Sequence, residues 1–256
     1  MFKFETLAIV FFAALIGAAP VSRATRRQKS TVVLLSGSLV AVVLLVSRTT
    51  PPDVRMWLAH VYLVGGYWIP ALLIPEERST AFELWLAGTD AVWKRFHVAF
   101  PRWAIAVSEI AYLLCYPAVP VSFAAVWLLG TAKDVDRFWL AVLASGFASY
   151  GCLPWLVSRP PRLIEERLAE AHTIASFNVG ILRRVSHQMN TFPSGHVAVS
   201  VAAALSLLRI WTAGGAAMIA VAAGIAVGAV AGRYHYLLDV VLGAVVGIGA
   251  VAIGDL

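Results

Sequence analysis

Runs of roughly 18 or more predominantly apolar residues recur along almost the whole chain, and they constrain the fold more than any other feature. A run of that length crosses a bilayer as an α-helix, because a helix makes all of its backbone hydrogen bonds within the segment. Composition agrees, since 60% of the 256 residues are hydrophobic and 13% are charged. Soluble domains have about 45–50% apolar residues and about 25% charged residues. We therefore expect an all-α, polytopic membrane bundle.

The sequence predicts about eight membrane spans. The first apolar run resembles a signal peptide, but "RATRRQK" follows it and is a poor cleavage context, which favours a span. The last three runs are rich in Ala, Gly and Val, which lets helices approach closely in lipid. The expected spans are Phe2–Ala19, Thr31–Val46, Met56–Ile74, Trp103–Leu129, Phe138–Val157, Pro193–Trp211, Gly214–Ala231 and Tyr236–Gly254.

The stretch "PEERSTAFELWLAGTDAVWKRF", residues 75–96, has a different pattern. Its apolar side chains share one helical face, and its charged side chains share the other. This pattern predicts an interfacial amphipathic helix that lies on the membrane and is ended by Pro101. The apolar face holds Phe82, Trp85, Leu86, Val92, Trp93 and Phe96, and the polar face holds Glu83, Asp90 and Lys94.

A polar island, "NTFPSGHVAV", begins the sixth expected span. Pro193 is tolerated in a first helical turn, where its missing N–H would be unpaired anyway. We expect the N–H groups of Ser194, Gly195 and His196 to be free at this helix end and to form an anion site with the helix dipole. Gly195 would let the backbone approach an oxyanion closely, and His196 adds a group that can donate a proton near neutral pH.

A second island, "GRYHYLLD", precedes the last span. His235 and Asp239 are four residues apart and so lie on one helical face. The carboxylate can fix the imidazole tautomer and leave the other ring nitrogen nucleophilic. Arg233 adds a permanent positive charge, and Arg159 and Arg162 in "SRPPR" are suited to bidentate phosphate recognition.

These three elements fall at span ends that a bundle with short loops would bring to one membrane face. Taken singly, each has an ordinary structural interpretation as a helix start, an interfacial anchor or an orienting charge. Their coincidence favours a phosphate site. A zinc site is the alternative, with the ligands His187, His196, His235 and Asp239, but it gives the arginines no role.

These motifs resemble the type 2 phosphatidic acid phosphatase superfamily, which includes synthase-like phosphotransferases. Its Pro-Ser-Gly-His motif is complete at residues 193–196, its His-x-x-x-Asp at 235–239, and its Arg-Pro at 159–160. Cys152 stands where the first motif has lysine, and Gly228 and Ala229 stand where the third has Ser-Arg. Arg162 and Arg233 are candidates to replace these charges. The resemblance covers residues 56–256, so we expect a six-helix phosphatase-like core in residues 51–256 and two spans outside it in residues 1–50.

The resemblance implies a mechanism without a metal or an organic cofactor. His235 would attack phosphorus, Asp239 would orient it, and His196 would protonate the departing alcohol. The phosphate oxygens would be held by Arg159, Arg162, Arg233, Ser194 and the Gly195 N–H.

The expected function is a membrane lipid phosphatase that acts through a phosphohistidine. The alternatives are a phosphotransferase between lipids or alcohols and a degenerate protein that binds or moves lipid. Expected partners are a phosphorylated lipid and the bilayer. No nucleic-acid partner is expected despite the net charge of +6, because the basic residues lie in short connectors, where they set membrane orientation. A bacterial plasma membrane is the expected location. The charge distribution favours a cytoplasmic site, whereas the resemblance implies an extracytoplasmic one.

Overall fold

The computed structural model describes residues 1–75, 80–91, 101–164, 180, 186–187 and 189–254. The described residues contain no β-strand beyond one isolated bridge between Ser158 and Asn190, which confirms the all-α class. Their helices are α1 Lys3–Ala18, α2 Arg26–Thr49, α3 Pro52–Ala71, α4 Thr80–Thr89, α5 Arg102–Leu113, α6 Cys115–Leu129, α7 Ala132–Gly151, α8 Pro161–Ile164, α9 Gly195–Leu208, α10 Thr212–Ala231 and α11 Leu237–Gly254.

Helices α7 and α9 form the centre of the bundle. Helix α9 packs against α6, α7, α10 and α11, and α7 also packs against α1 and α3. Glycines bring α11 very close to α9, because a Cβ on Gly243 would lie 2.5 Å from the Ser194 carbonyl oxygen, and one on Gly247 would lie 2.6 Å from that of Ala198. This close packing holds the start of α11 against the start of α9, where the two polar islands lie.

Membrane-spanning character is clear for part of the predicted set. Helices α2, α10 and α11 are long and apolar enough to cross a bilayer, and the α5–α6 pair is a fourth candidate if it forms one span. Helices α1 and α9 have only 16 and 14 residues, whereas about 20 residues span a typical bilayer. The protein is a membrane protein, but the predicted eight spans and six-helix core are not confirmed.

The predicted span over residues 103–129 is interrupted. Helices α5 and α6 meet at Leu114 with a bend of 45° between residues 106–113 and 115–129. Pro117 explains the break, because it has no N–H to donate and its ring would clash with the carbonyl of Leu113. The apolar pattern therefore predicted one continuous helix, whereas the structure has two helices on either side of the break.

Helix α1 is packed into the main apolar core with α7 and α9. Phe4, Ala8 and Phe12 are fully buried. A buried ion pair holds α1 to α3, with the Arg55 Nε donating to Glu5 Oε1 at 2.8 Å. The first helix thus packs against α7, which in turn packs against α9 and α11.

Candidate active site

The connection from α10 to α11 carries the predicted nucleophile. His235 Nδ1 lies 3.2 Å from Asp239 Oδ2, and the two side chains are 6% and 0% exposed. Because an ionised carboxylate only accepts hydrogen bonds, Nδ1 carries the proton, and Nε2 of the neutral imidazole then has a free lone pair. The pair thus has the geometry of a histidine oriented by a carboxylate.

Asn190 is a second partner of this carboxylate that sequence reasoning missed. Its Nδ2 donates to Asp239 Oδ2 at 2.5 Å and to Ser158 Oγ at 3.2 Å. Its backbone N–H donates to the Ser158 carbonyl at 2.8 Å. Asn190 therefore joins the segment after α7, the segment before α9 and the first turn of α11. Its position three residues before Pro193 was the only sequence signal.

At the start of α9, the polar groups that lack a hydrogen-bond partner are not the ones that the sequence predicted. The Ser194 N–H donates to the Asp239 carbonyl at 2.9 Å, and the Gly195 N–H donates to Thr191 Oγ1 at 3.0 Å. The expectation that both N–H groups are free is therefore wrong. At this helix start, the Ser194 hydroxyl and His196 Nδ1 are instead buried without a hydrogen-bond partner among the described residues.

The structure gives a steric reason for glycine at position 195, which differs from the predicted close approach of an oxyanion. A Cβ on it would lie 2.1 Å from Cε1 of Tyr150. The absent side chain makes room for a tyrosine of α7, which lets α9 and α7 approach at the site.

The two histidines of the motifs are neighbours. The centroids of the His196 and His235 rings are 6.2 Å apart. Tyrosine rings surround His196 on its other sides, with Tyr112 at 5.8 Å, Tyr116 at 6.1 Å and Tyr67 at 6.3 Å between ring centroids. A group bound between the imidazoles would be within reach of both rings.

Arg159 is held by a carboxylate from α4. Its Nε and Nη2 donate to Glu83 at 3.1 Å and 2.7 Å, and its backbone N–H donates to the same side chain at 2.9 Å. This bidentate pair raises the pKa of the Arg159 guanidinium through the hydrogen bonds and the charge of Glu83. The Arg159 side chain is still 44% exposed.

Arg233 is also held by a carboxylate, and both side chains of this pair are buried. Its Nη1 lies 2.5 Å from Asp90 Oδ2, with side chains 3% and 0% exposed. The other oxygen of Asp90 accepts the Leu237 N–H at 3.1 Å. Arg233 has φ 58°, a left-handed conformation that costs a non-glycine residue roughly 1–2 kcal/mol. Asp90 thus fixes both flanks of His235.

Arg162 is the third predicted arginine that the structure brings to this region. Its backbone N–H donates to the Arg233 carbonyl at 3.0 Å, and its guanidinium lies 4.4 Å from the centre of the Tyr234 ring. Nη1 of Arg162 is buried without a partner in the described part of the chain. Arg162 is therefore close to the loop of the predicted nucleophile.

These contacts correct the predicted orientation of the amphipathic segment. Glu83 and Asp90 were expected on a solvated face, but they are 9% and 1% exposed and point at arginines. On the predicted apolar face, Trp85 is 53% exposed and Leu86 is fully buried. Lys94, Val92, Trp93 and Phe96 lie outside the described residues.

The alternative zinc site is not assembled within the described residues, where no group of three or more His, Cys, Asp or Glu side chains has metal-ligand geometry. His187 stacks on Tyr67 with 4.4 Å between ring centroids. Its Nδ1 accepts the Met189 N–H at 3.2 Å, and burial lowers the pKa of His187 to about 4. Cys152, at the position of the family lysine, is half-buried.

Comparison with known proteins agrees with this geometry. Residues 135–254 match the model of the PAP2 superfamily, whose members are typically phosphatases or phosphotransferases. The match is shorter than the expected range of 56–256, but it contains all three motif segments. No curated protein and no solved structure is significantly similar to the chain. The match over residues 135–254, just under half of the chain, supports membership in the PAP2 superfamily.

Proposed function

We propose that the protein cleaves a phosphate ester of a membrane lipid through a covalent intermediate on His235. The observation that carries this proposal is the contact of His235 Nδ1 with Asp239 at 3.2 Å, next to the ring of His196. It leaves one free imidazole nitrogen as a nucleophile beside a second imidazole.

The chemistry follows from the side chains around this pair. His235 Nε2 forms a bond to phosphorus while the bond from phosphorus to the leaving alcohol breaks. Asp239 stabilises the positive charge that develops on the imidazole, and His196 gives a proton to the leaving oxygen. The Ser194 hydroxyl and the guanidinium groups of Arg159, Arg162 and Arg233 supply donors and positive charge for the oxygens on phosphorus.

The second half of the reaction decides between two functions. If water attacks the phosphohistidine, the protein is a lipid phosphatase, which is the function that we favour. If an alcohol attacks it, the protein is a phosphotransferase. The specific observation that favours transfer is the pairing of two arginines with Glu83 and Asp90, which reduces the positive charge available to a doubly charged phosphate monoester.

The test uses purified protein and a panel of phosphorylated lipids, with and without added alcohols. Chromatographic analysis scores both free phosphate and transferred head group. We expect turnover in wild type and none in His235→Ala, whose folding is checked by its unfolding temperature. Full activity of His235→Ala would overturn the proposal. Retained lipid binding without turnover in wild type would support the degenerate alternative.

A further inference from the structure

A pocket of about 340 Å³ lies between the connector that joins α1 to α2 and the segment that follows α7. Its volume is within the range of sites that bind small organic ligands. Its buried lining residues are Ser22, Pro154 and Val157. Its exposed lining residues are Val21, Arg23 and Trp155. None of them is a proposed catalytic or phosphate-binding residue, so the pocket is separate from the candidate active site.

Exposed tryptophans indicate that the pocket lies at the depth of the lipid head groups. Trp155 lines the pocket itself, and Trp68 and Trp85 are exposed at the same end of the bundle. Between ring centroids, Trp68 lies 6.1 Å from His187, and Trp85 lies 6.4 Å from Phe192. Tryptophan is enriched where the bilayer meets water. A ligand in this pocket would therefore lie at the membrane surface.

Arg23 gives the pocket a positive charge. It is the only charged residue among the described residues that line the pocket. Arg159 and Arg233 are paired with carboxylates, whereas Arg23 has no ion-pair partner in the described part of the chain. Residues 19–31 contain no acidic residue and three further basic residues, Arg26, Arg27 and Lys29. The pocket therefore suits an anionic ligand.

An apolar surface follows the pocket in the sequence, along α2. This helix starts directly after the connector that carries Arg23, and it is a candidate membrane span. Near its start, Val33, Leu34 and Leu35 are exposed. Acyl chains would pack on these aliphatic side chains while a head group occupied the pocket. A phospholipid uses both surfaces, whereas a free phosphate ion uses only the charge of Arg23.

We propose that this pocket is an accessory binding site for the head group of an anionic phospholipid, with the Arg23 guanidinium paired to its phosphate. The inference goes beyond the proposed function, because it uses no residue of the proposed catalytic machinery. The bound head group also contacts Phe82, which lines the pocket. Glu83, the next residue, holds Arg159, so a lipid in the pocket braces α4 against the candidate active site.

The experiment counts the lipid molecules bound to the full-length protein in detergent by native mass spectrometry. The probe is dioctanoyl phosphatidylglycerol, and dioctanoyl phosphatidylcholine and inorganic phosphate are titrated in parallel. We expect one phosphatidylglycerol molecule to bind more tightly than either of the other two. Arg23→Gln should weaken its binding about tenfold, because a hydrogen-bonded charge is lost.

Two controls separate the pocket from general attraction to a basic surface. Arg27→Gln removes the same charge from an exposed residue that does not line the pocket, and it should weaken binding less than about twofold. Val21→Trp obstructs the pocket without changing its charge and should abolish the binding. Val10→Trp, at an exposed position of α1, should leave the binding unchanged.

Several results would overturn the inference. Equal weakening by Arg23→Gln and Arg27→Gln would show surface attraction only, and equally tight phosphatidylcholine would show that the anion is not recognised. Inorganic phosphate that binds as tightly as phosphatidylglycerol would identify a free-phosphate site instead.

The variant His235→Ala separates this inference from the proposed function. Binding that depends on Arg23 should persist in His235→Ala, because the pocket does not contain His235. Loss of this binding in His235→Ala would place the lipid in the candidate active site and overturn the inference. If His235→Ala instead keeps both the Arg23-dependent binding and full turnover, the accessory site stands and the catalytic proposal falls.

Discussion

Replacing Arg233 tests how the loop of the proposed nucleophile is held. The Arg233 and Asp90 side chains are 3% and 0% exposed, so Arg233→Ala leaves a buried carboxylate with only the Leu237 N–H as its donor in the described structure. Removing one partner of a buried ion pair costs about 3–5 kcal/mol of the free energy of unfolding. We expect Arg233→Ala to lower the free energy of unfolding by an amount in that range.

The backbone of Arg233 provides an internal comparison. Its φ of 58° is costly for alanine but not for glycine. Arg233→Gly removes the same guanidinium, yet it should be more stable than Arg233→Ala by roughly 1 kcal/mol. In the double variant Arg233→Ala with Asp90→Ala, the combined cost should be smaller than the sum of the single costs, because no unpaired charge stays buried.

The assay is denaturant-induced unfolding in mixed micelles, followed by tryptophan fluorescence. Arg209→Ala is the control, since Arg209 is an exposed residue at the C-terminal end of α9, and we expect a change below about 1 kcal/mol. If Arg233→Ala is as stable as Arg209→Ala, or if the glycine and alanine variants of Arg233 are equally stable, the account of this loop is wrong.

Three further variants test the site. Asn190→Ala removes the second hydrogen bond to the carboxylate that orients the nucleophile, and we expect kcat to fall roughly ten- to a hundredfold, by analogy with other second-partner groups, measured with the best lipid substrate. Gly195→Ala places a Cβ 2.1 Å from Tyr150 and should lower the unfolding temperature and the activity, whereas Gly249→Ala, whose added Cβ meets nothing within 4 Å, should change neither. His196→Ala should lose most activity on alkyl esters but retain more on p-nitrophenyl esters, whose leaving group needs no proton; equal losses would argue against a proton donor.

The local signals in the sequence predicted which polar residues of the two islands lie close together. A Pro-Ser-Gly-His run at a helix start and a four-residue spacing between His235 and Asp239 are short-range patterns. Helical geometry converts such patterns directly into placement. The structure brings both islands together, as the order of the apolar runs suggested.

The contacts made by α4 were not predictable in the same way. An amphipathic pattern states which side chains share a face, but it does not state whether the polar face meets water or buried charges. Glu83 finds Arg159 only after the chain between them has folded, so the partner is set by tertiary packing. Asn190 was missed for the same reason, because its hydrogen-bond partners lie 32 and 49 residues away.

The break at Leu114 was missed for a different reason. The predicted span included Pro117 and Pro120 in one long, otherwise apolar run, although proline removes backbone donors and bends the helix. The predicted span 193–211 shows a related effect. Helix α9 has only 14 residues, because Pro193, Ser194 and residues 209–211, which the span included, lie outside the helix.

The most direct measurement of the central claim is to trap the intermediate on His235. Wild-type protein is mixed with a lipid substrate labelled on phosphorus and quenched within milliseconds at alkaline pH, where phosphohistidine survives. Peptide mass spectrometry then locates the label. We predict that the label lies on His235 in wild type, accumulates when the acceptor is withheld, and is absent in His235→Ala. Turnover without any label on His235, or a label on another residue that persists in His235→Ala, would contradict the account.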